Sequence, residues 1–199
     1  MTAKRKSSSG DGEATPTAPE WVATLARQQY FTSGGGGGGD DDSEAIGVPV
    51  WFIASKKVEK SDLVTQQNRL YLPTHFVAAN LVDLLSPEER ASASLVGDIS
   101  RPSKRSRTEA EEEEEEMNRK PKAAGRVHGG LPVRVFARSG FVFFLRLTRW
   151  DASGGTVIKG YELKLFHLWS ALQTGDKIDV WAFRRGGRNG ELCFAIGRP

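Results

Sequence analysis

Apolar residues are concentrated in two blocks of the chain, 46–85 and 131–199, and are sparse before and between them. The first block opens with a stretch rich in β-branched and aromatic residues, which predicts a strand followed by a polar break. A second short strand is predicted at 69–73, ended by Pro73. Residues 74–90 carry apolar side chains close to helical spacing, with Thr74 as a candidate cap and Ser86 and Pro87 as the stop.

The second block alternates between strand-like and turn-like segments. Its predicted elements are strands at 131–137 and 141–150, a turn-rich loop at 151–160, a strand at 160–165, a helix at 166–176, and a hairpin of strands 177–184 and 191–197 closed by the turn 185–190. Many short strands with two short helices predict a small, mostly antiparallel barrel. The side chains expected in its core are Trp51, Phe143, Leu145, Leu163, Leu165, Leu168, Leu172, Ile178, Val180, Phe183, Phe194 and Ile196.

The remaining segments have the composition of linkers. Residues 1–45 are rich in Gly, Ser and charge, which predicts a disordered N-terminal region with a candidate short helix at 20–31. The sequence favours neither of two interpretations of that helix, a transient helix or a docking motif. Residues from about 91 to 130 carry a basic cluster and then seven glutamates within 109–116, so we expect a disordered insertion that interrupts one domain at 46–199.

Several classes of function are disfavoured by composition. The N-terminus lacks the apolar core of a secretory signal, and no run approaches the roughly 18 apolar residues of a membrane helix. The one cysteine, Cys193, lies in an apolar strand and is expected to be a buried, inert thiol, which fits a reducing compartment. His167 is expected to be at the surface or half-buried. With no nucleophile–base set, metal cluster or phosphate loop, we expect no enzyme, no cofactor and no small-molecule substrate.

Three stretches, 56–73, 145–163 and 172–196, resemble a plant B3 DNA-binding domain. The first contains KKVEKSDL and RLYLP, the second contains LRLTRW and GYEL, and the third contains LQTGD and the VWAFR…LCFA hairpin of a plant-specific branch of that superfamily. The resemblance implies a mostly β fold, a seven-stranded open pseudobarrel with two short helices. It also implies sequence-specific binding of double-stranded DNA through two loop arms.

The resemblance places the candidate DNA-binding residues in those two arms. They are Lys57, Lys60, Ser61, Gln66, Gln67, Asn68 and Arg69 in the first arm, and Arg149, Ser153, Thr156 and Lys159 in the second. Lysine and arginine neutralise phosphates, whereas Asn, Gln and Arg can read base edges. Composition alone favours an ordinary solvated loop for the first arm, and only the resemblance reverses that preference. Trp150 is expected to be a packing anchor rather than a base-stacking residue.

The distribution of charge adds to this interpretation. Residues 51–85 and 131–199 together carry about seven more Lys and Arg than Asp and Glu. A basic fold is typical of a nucleic-acid binder, although solubility alone is a competing explanation. We expect a nuclear transcriptional regulator with co-regulators as partners, and the basic clusters at 3–6 and 102–107 read as import signals. The alternative is a B3-like protein-interaction module that has lost DNA binding. A further hypothesis is that Glu109–Glu116 competes with DNA for the arms.

Overall fold

The structure is a computed structural model that describes residues 16–32, 47–64, 66–97, 99, 129–150 and 155–199. Its strands are β1 Val50–Lys57, β2 Arg69–Leu72, β3 Leu131–Ala137, β4 Val142–Arg149, β5 Thr156–Lys159, β6 Lys177–Arg185 and β7 Glu191–Gly197. Its α-helices are α1 Glu20–Thr32, α2 Lys60–Leu63, α3 Thr74–Phe76, α4 Pro87–Ser92 and α5 Leu163–Trp169, with a π-helical stretch Val77–Leu81 and a 3₁₀ turn Val82–Leu84 after α3.

The seven strands form one sheet in the order β1-β6-β7-β3-β4-β5-β2, which curls into a nearly closed barrel. All neighbouring strands are antiparallel except β3 and β7, which run parallel. The barrel interior holds the main core, with fully buried residues such as Leu70, Ile158 and Phe194. The expected mostly β, seven-stranded barrel with short helices is therefore confirmed.

A second apolar cluster lies on the outside of the barrel, beneath α1. Val22 and Ala26 of α1 pack against Trp181, Phe183 and Cys193 of the β6–β7 hairpin. Four-residue spacing places Val22 and Ala26 on one side of the helix, so this side is covered by the chain's own sheet. The segment that the sequence left open as transient or docking thus packs on the barrel as helix α1.

The connection from β5 to β6 differs from its prediction. Residues 160–165 were expected to form a strand, but Leu163 begins α5, and the strand β5 instead occupies 156–159, inside the predicted loop. Because α5 turns only Leu163 and Phe166 inward, Leu165 and Leu168 are exposed, and their assignment to the core is wrong. The other predicted core residues are buried or packed against the core.

The segment after β2 also needs correction. Pro73, rather than Thr74, stands at the N-cap of α3, with no side-chain cap. Ser86 does end the predicted helix, but it begins α4 through a capping box in which its hydroxyl accepts from the Glu89 amide. Leu95 beyond α4 is buried in the main core, so the folded chain extends past residue 91, where the insertion was expected to begin.

Candidate nucleic-acid interface

Three basic residues occupy directly opposed positions on neighbouring strands. Lys159 of β5 is paired with Arg146 of β4 on one side and with Arg69 of β2 on the other. Opposed residues in an antiparallel ladder share a face, and neighbouring strands lie about 4.8 Å apart. Arg146, Lys159 and Arg69 therefore form a basic row roughly 10 Å long on the outer face of the barrel. We call these three residues the basic row.

Both predicted arms start from the same short ladder. β2 and β5 pair over four residues, with Arg69 opposite Lys159 at one end and Leu72 opposite Thr156 at the other. The 58–68 connection enters at the Arg69 end, and the connection from β4 enters at the Thr156 end. At about 3.3 Å per residue the two entry points are roughly 10 Å apart. The arms thus flank one outer face of the barrel from its two ends.

The side chains at the bases of the two arms touch each other. The Arg69 guanidinium carbon lies 4.6 Å from the centre of the Trp150 ring, and its Nε donates to Gln67 Oε1 at 2.8 Å. The Trp150 amide donates to the Gly155 carbonyl at 2.6 Å, which closes the base of the second arm. Half-buried Trp150 therefore makes a cation–π contact with Arg69. This contact is consistent with a packing role for Trp150.

Tyr71 adds an aromatic ring to this face. It lies two residues after Arg69, so it points to the same side of β2, and it is 36% exposed. Its hydroxyl is 3.1 Å from the Thr74 hydroxyl. A Cβ on Gly155 would come within 2.3 Å of the Tyr71 ring, so the absence of a side chain at Gly155 is what lets the ring lie over the base of the second arm.

A buried ion pair anchors the first arm to both edges of the sheet. Lys56 Nζ of β1 lies 2.6 Å from Asp62 Oδ2 of α2 and donates to the Tyr71 carbonyl of β2 at 2.8 Å. The two Asp62 oxygens also accept from the amides of Glu59 and Tyr71, each at 2.9 Å. These four contacts join α2 to β1 and β2 and hold the start of the arm in one position.

The remaining residues predicted for the first arm are spread along it. Lys60, Gln66 and Gln67 are exposed, whereas Ser61 is half-buried in α2. Asn68 has a φ of 43°, a left-handed conformation that asparagine tolerates, and its Oδ1 is buried without a partner among the described residues.

Lys57 lies outside this arrangement. It is exposed at the end of β1, and its register partner is Lys177 of β6. Its Cε lies 3.6 Å from the position that a Cβ on Gly175 would take, so it sits against the turn before β6 rather than on the β2–β5 ladder.

Two of the residues predicted for the second arm do not reach the outer face. Thr156 is 1% exposed, because it pairs with Leu72 at the core side of the ladder. Arg149 is half-buried and lies three positions after Arg146, so it points to the opposite side of the sheet. Lys159 belongs to the basic row, and Ser153 lies outside the described residues.

Sequence reasoning missed Arg146 and Tyr71. Arg146 is a single exposed charge within the apolar run of β4, and its alternation with buried Leu145 and Leu147 marks it as outward-facing. Its Nη1 donates to the Gly130 carbonyl at 3.1 Å. Its place beside Lys159 depends on strand pairing, which no local pattern reveals.

Other candidate chemistry in the described part of the chain is sparse. Burial raises the pKa of the Cys193 thiol to about 12, which agrees with the expected inert thiol. Burial also lowers the pKa of half-buried His167. Within the described residues no three His, Cys, Asp or Glu side chains are grouped so that they could hold a metal ion. No helix of the described ranges has the length and apolar character needed to cross a membrane.

Comparison with known proteins finds similarity only at the level of solved structures. No protein-family model matches the chain, and no curated protein matches it. Among solved structures the chain is similar to one described as an Arabidopsis FUS3–DNA complex. The two are 15% identical with a TM-score of 0.39, and the match covers 74% of this chain and 97% of the other.

Proposed function

We propose that this chain binds double-stranded DNA in a sequence-specific manner through the outer face of the β2–β5 ladder and the two arms that flank it. The observation that carries the proposal is the basic row, Arg146–Lys159–Arg69, set between the two arms. Three positive groups at opposed positions on neighbouring strands concentrate charge on one face, which suits an anionic ligand such as a phosphate backbone. We further propose that the protein acts in the nucleus as a transcriptional regulator.

The side chains on this face can supply both affinity for the DNA backbone and recognition of base edges. Guanidinium and ammonium groups in a row neutralise consecutive phosphates and release their counterions. The exposed Gln66 can offer a donor and an acceptor to an adenine edge in the major groove, whereas Gln67, whose Oε1 accepts from Arg69 Nε, offers its amide NH₂ as a donor. The groove is about 12 Å wide, comparable with the roughly 10 Å between the arm bases.

The proposal is tested by selection from a random-sequence duplex pool, followed by fluorescence polarisation with the enriched duplex. We expect one short motif to be enriched and its affinity to fall steeply with salt. Arg69→Ala and Arg146→Ala should each weaken binding about tenfold and reduce the salt slope by about one. Arg188→Ala is the matched control, because Arg188 is exposed in the β6–β7 turn, away from the ladder.

Two outcomes would count against the proposal. If no sequence is enriched, the proposal of sequence-specific binding is wrong. If Arg146→Ala and Arg188→Ala weaken binding equally, the ladder face is not the interface. Retained melting temperatures in all three variants exclude unfolding as the cause.

A further inference from the structure

Helix α5 has two apolar sides, and only one of them packs against the barrel. Leu163 and Phe166 are fully buried, and the Phe166 ring meets Phe143 edge-on at 5.5 Å. On the other side Leu165, Leu168 and Trp169 are 47%, 72% and 53% exposed. Their three- and four-residue spacing places them together on the helix surface. The fold does not need large apolar side chains there, because they pack against no core.

This exposed surface continues onto the β3–β4 hairpin. Phe141 at its tip is 46% exposed, and its ring centre lies 4.5 Å from that of Trp169. We call Phe141, Leu165, Leu168 and Trp169 the α5 patch. Single exposed apolar residues are common, but a contiguous group of four large ones marks an interaction surface.

A cleft of about 190 Å³ opens beside Trp169. Leu172 and Ile196 line its apolar part, and Arg138 and Arg198 line its polar part. The cleft is smaller than the roughly 300–1,000 Å³ of typical small-molecule sites. Its size fits a single anchoring side chain of a peptide better than a metabolite.

The charges around the α5 patch are positive. Arg138 and Lys164 are exposed, and neither has an ion-pair partner among the residues that the structure describes. Arg198 is already neutralised by Asp176, whose carboxylate lies 2.7 Å from its Nη2. Lys164 and Leu168 are neighbours at four-residue spacing, so apolar and positive groups alternate across the surface.

We propose that the α5 patch binds a peptide segment of another protein that carries bulky apolar side chains next to carboxylates. One apolar side chain enters the cleft beside Trp169, and the carboxylates face Arg138 and Lys164. A second copy of this chain fits less well, because a two-fold contact would bring the same positive groups together. The surface is separate from the basic row, so the proposal stands independently of DNA binding.

The test is a selection from a displayed library of random 12-residue peptides on the full chain, with counter-selection on Leu168→Asp. We expect the enriched peptides to combine at least two bulky apolar residues with a net negative charge. A fluorescein-labelled synthetic copy should bind wild type, and Leu168→Asp, Trp169→Ser and Arg138→Glu should each weaken it at least about tenfold. Val96→Asp, at an equally exposed apolar residue elsewhere, should have no effect.

Melting temperatures within about 2 °C of wild type show that each variant is folded. The proposal is overturned if no peptide is enriched, if the enriched peptides lack carboxylates, or if Leu168→Asp binds the labelled peptide as wild type does. It is also overturned if sedimentation shows a dimer that Leu168→Asp dissociates, because the occupant is then a second copy.

Discussion

The ammonium of Lys56 lies 2.6 Å from Asp62 Oδ2, with side chains only 5% and 1% exposed. The pair joins β1, α2 and β2, because Lys56 also donates to the Tyr71 carbonyl and Asp62 accepts from the Tyr71 amide. Burying two charges is costly, and this cost is offset only when every donor and acceptor has a partner. The main effect of this ion pair is therefore to hold the start of the first arm in position.

Asp62→Asn should lower the free energy of unfolding by about 3 kcal/mol at neutral pH, because it leaves the Lys56 ammonium buried without a counter-charge. Urea denaturation gives the value, and hydrogen exchange of the Tyr71 amide reports the local loosening. Asp83→Asn is the control, since Asp83 is exposed and its ion pair with Arg90 is long at 3.7 Å. Equal effects of the two substitutions would show that the buried pair contributes little.

The free energy of unfolding is expected to depend on pH in the acid range because of Glu89. Its hydrogen bonds with the Arg184 guanidinium, one of them 2.8 Å long, hold the pKa of the Glu89 carboxyl below its usual 4.5. A folded-state pKa that is depressed stabilises the protein fully above the unfolded-state value, and this stabilisation is lost as pH falls below about 4.5.

Glu89→Gln should therefore cost about 2 kcal/mol at pH 7 and flatten the fall in stability below pH 4.5. Urea unfolding at a series of pH values measures both effects. Glu20→Gln, at an 86% exposed side chain of α1, is the comparison and should leave the curve nearly unchanged. If the curve of Glu89→Gln ran parallel to that of wild type at every pH, Glu89 would not be the source of the acid dependence.

Gly155→Ala should move the Tyr71 ring, because the new Cβ would come within 2.3 Å of it and the ring is free to swing outward. We expect shifted NMR signals for the Tyr71 ring, loss of its contact with the Thr74 hydroxyl, and a stability change of no more than about 1 kcal/mol. If DNA binds at the ladder, duplex affinity should fall as well. Gly47→Ala serves as the control, since nothing lies within 4 Å of its Cβ position.

Cys193 should resist alkylation in the folded protein. Its side chain is buried on β7, in the apolar cluster beneath α1, and burial raises the thiol pKa to about 12, so almost no thiolate is present at pH 8. We expect iodoacetamide to react only as the chain unfolds, with a rate that increases in urea in parallel with the loss of structure. Rapid reaction without urea would show that the α1 side of the barrel opens readily.

The sequence alone determined the β-barrel character of this protein, because strand alternation and turn residues are local properties. It also located the closing hairpin, the buried cysteine and the polar composition of the first arm. It misplaced β5 and α5, since the short apolar segment at 156–168 fits either strand or helix until packing decides between them.

Only the tertiary structure decided which residues share the candidate interface. β2 and β5 are far apart in the chain, and a period of two tells which face a side chain takes but not which strand lies next to it. Pairing therefore brought Arg146 into the basic row and turned Thr156 and Arg149 away from it. For the same reason Lys56 became half of a buried ion pair, although its neighbour Lys57 remains in solvent.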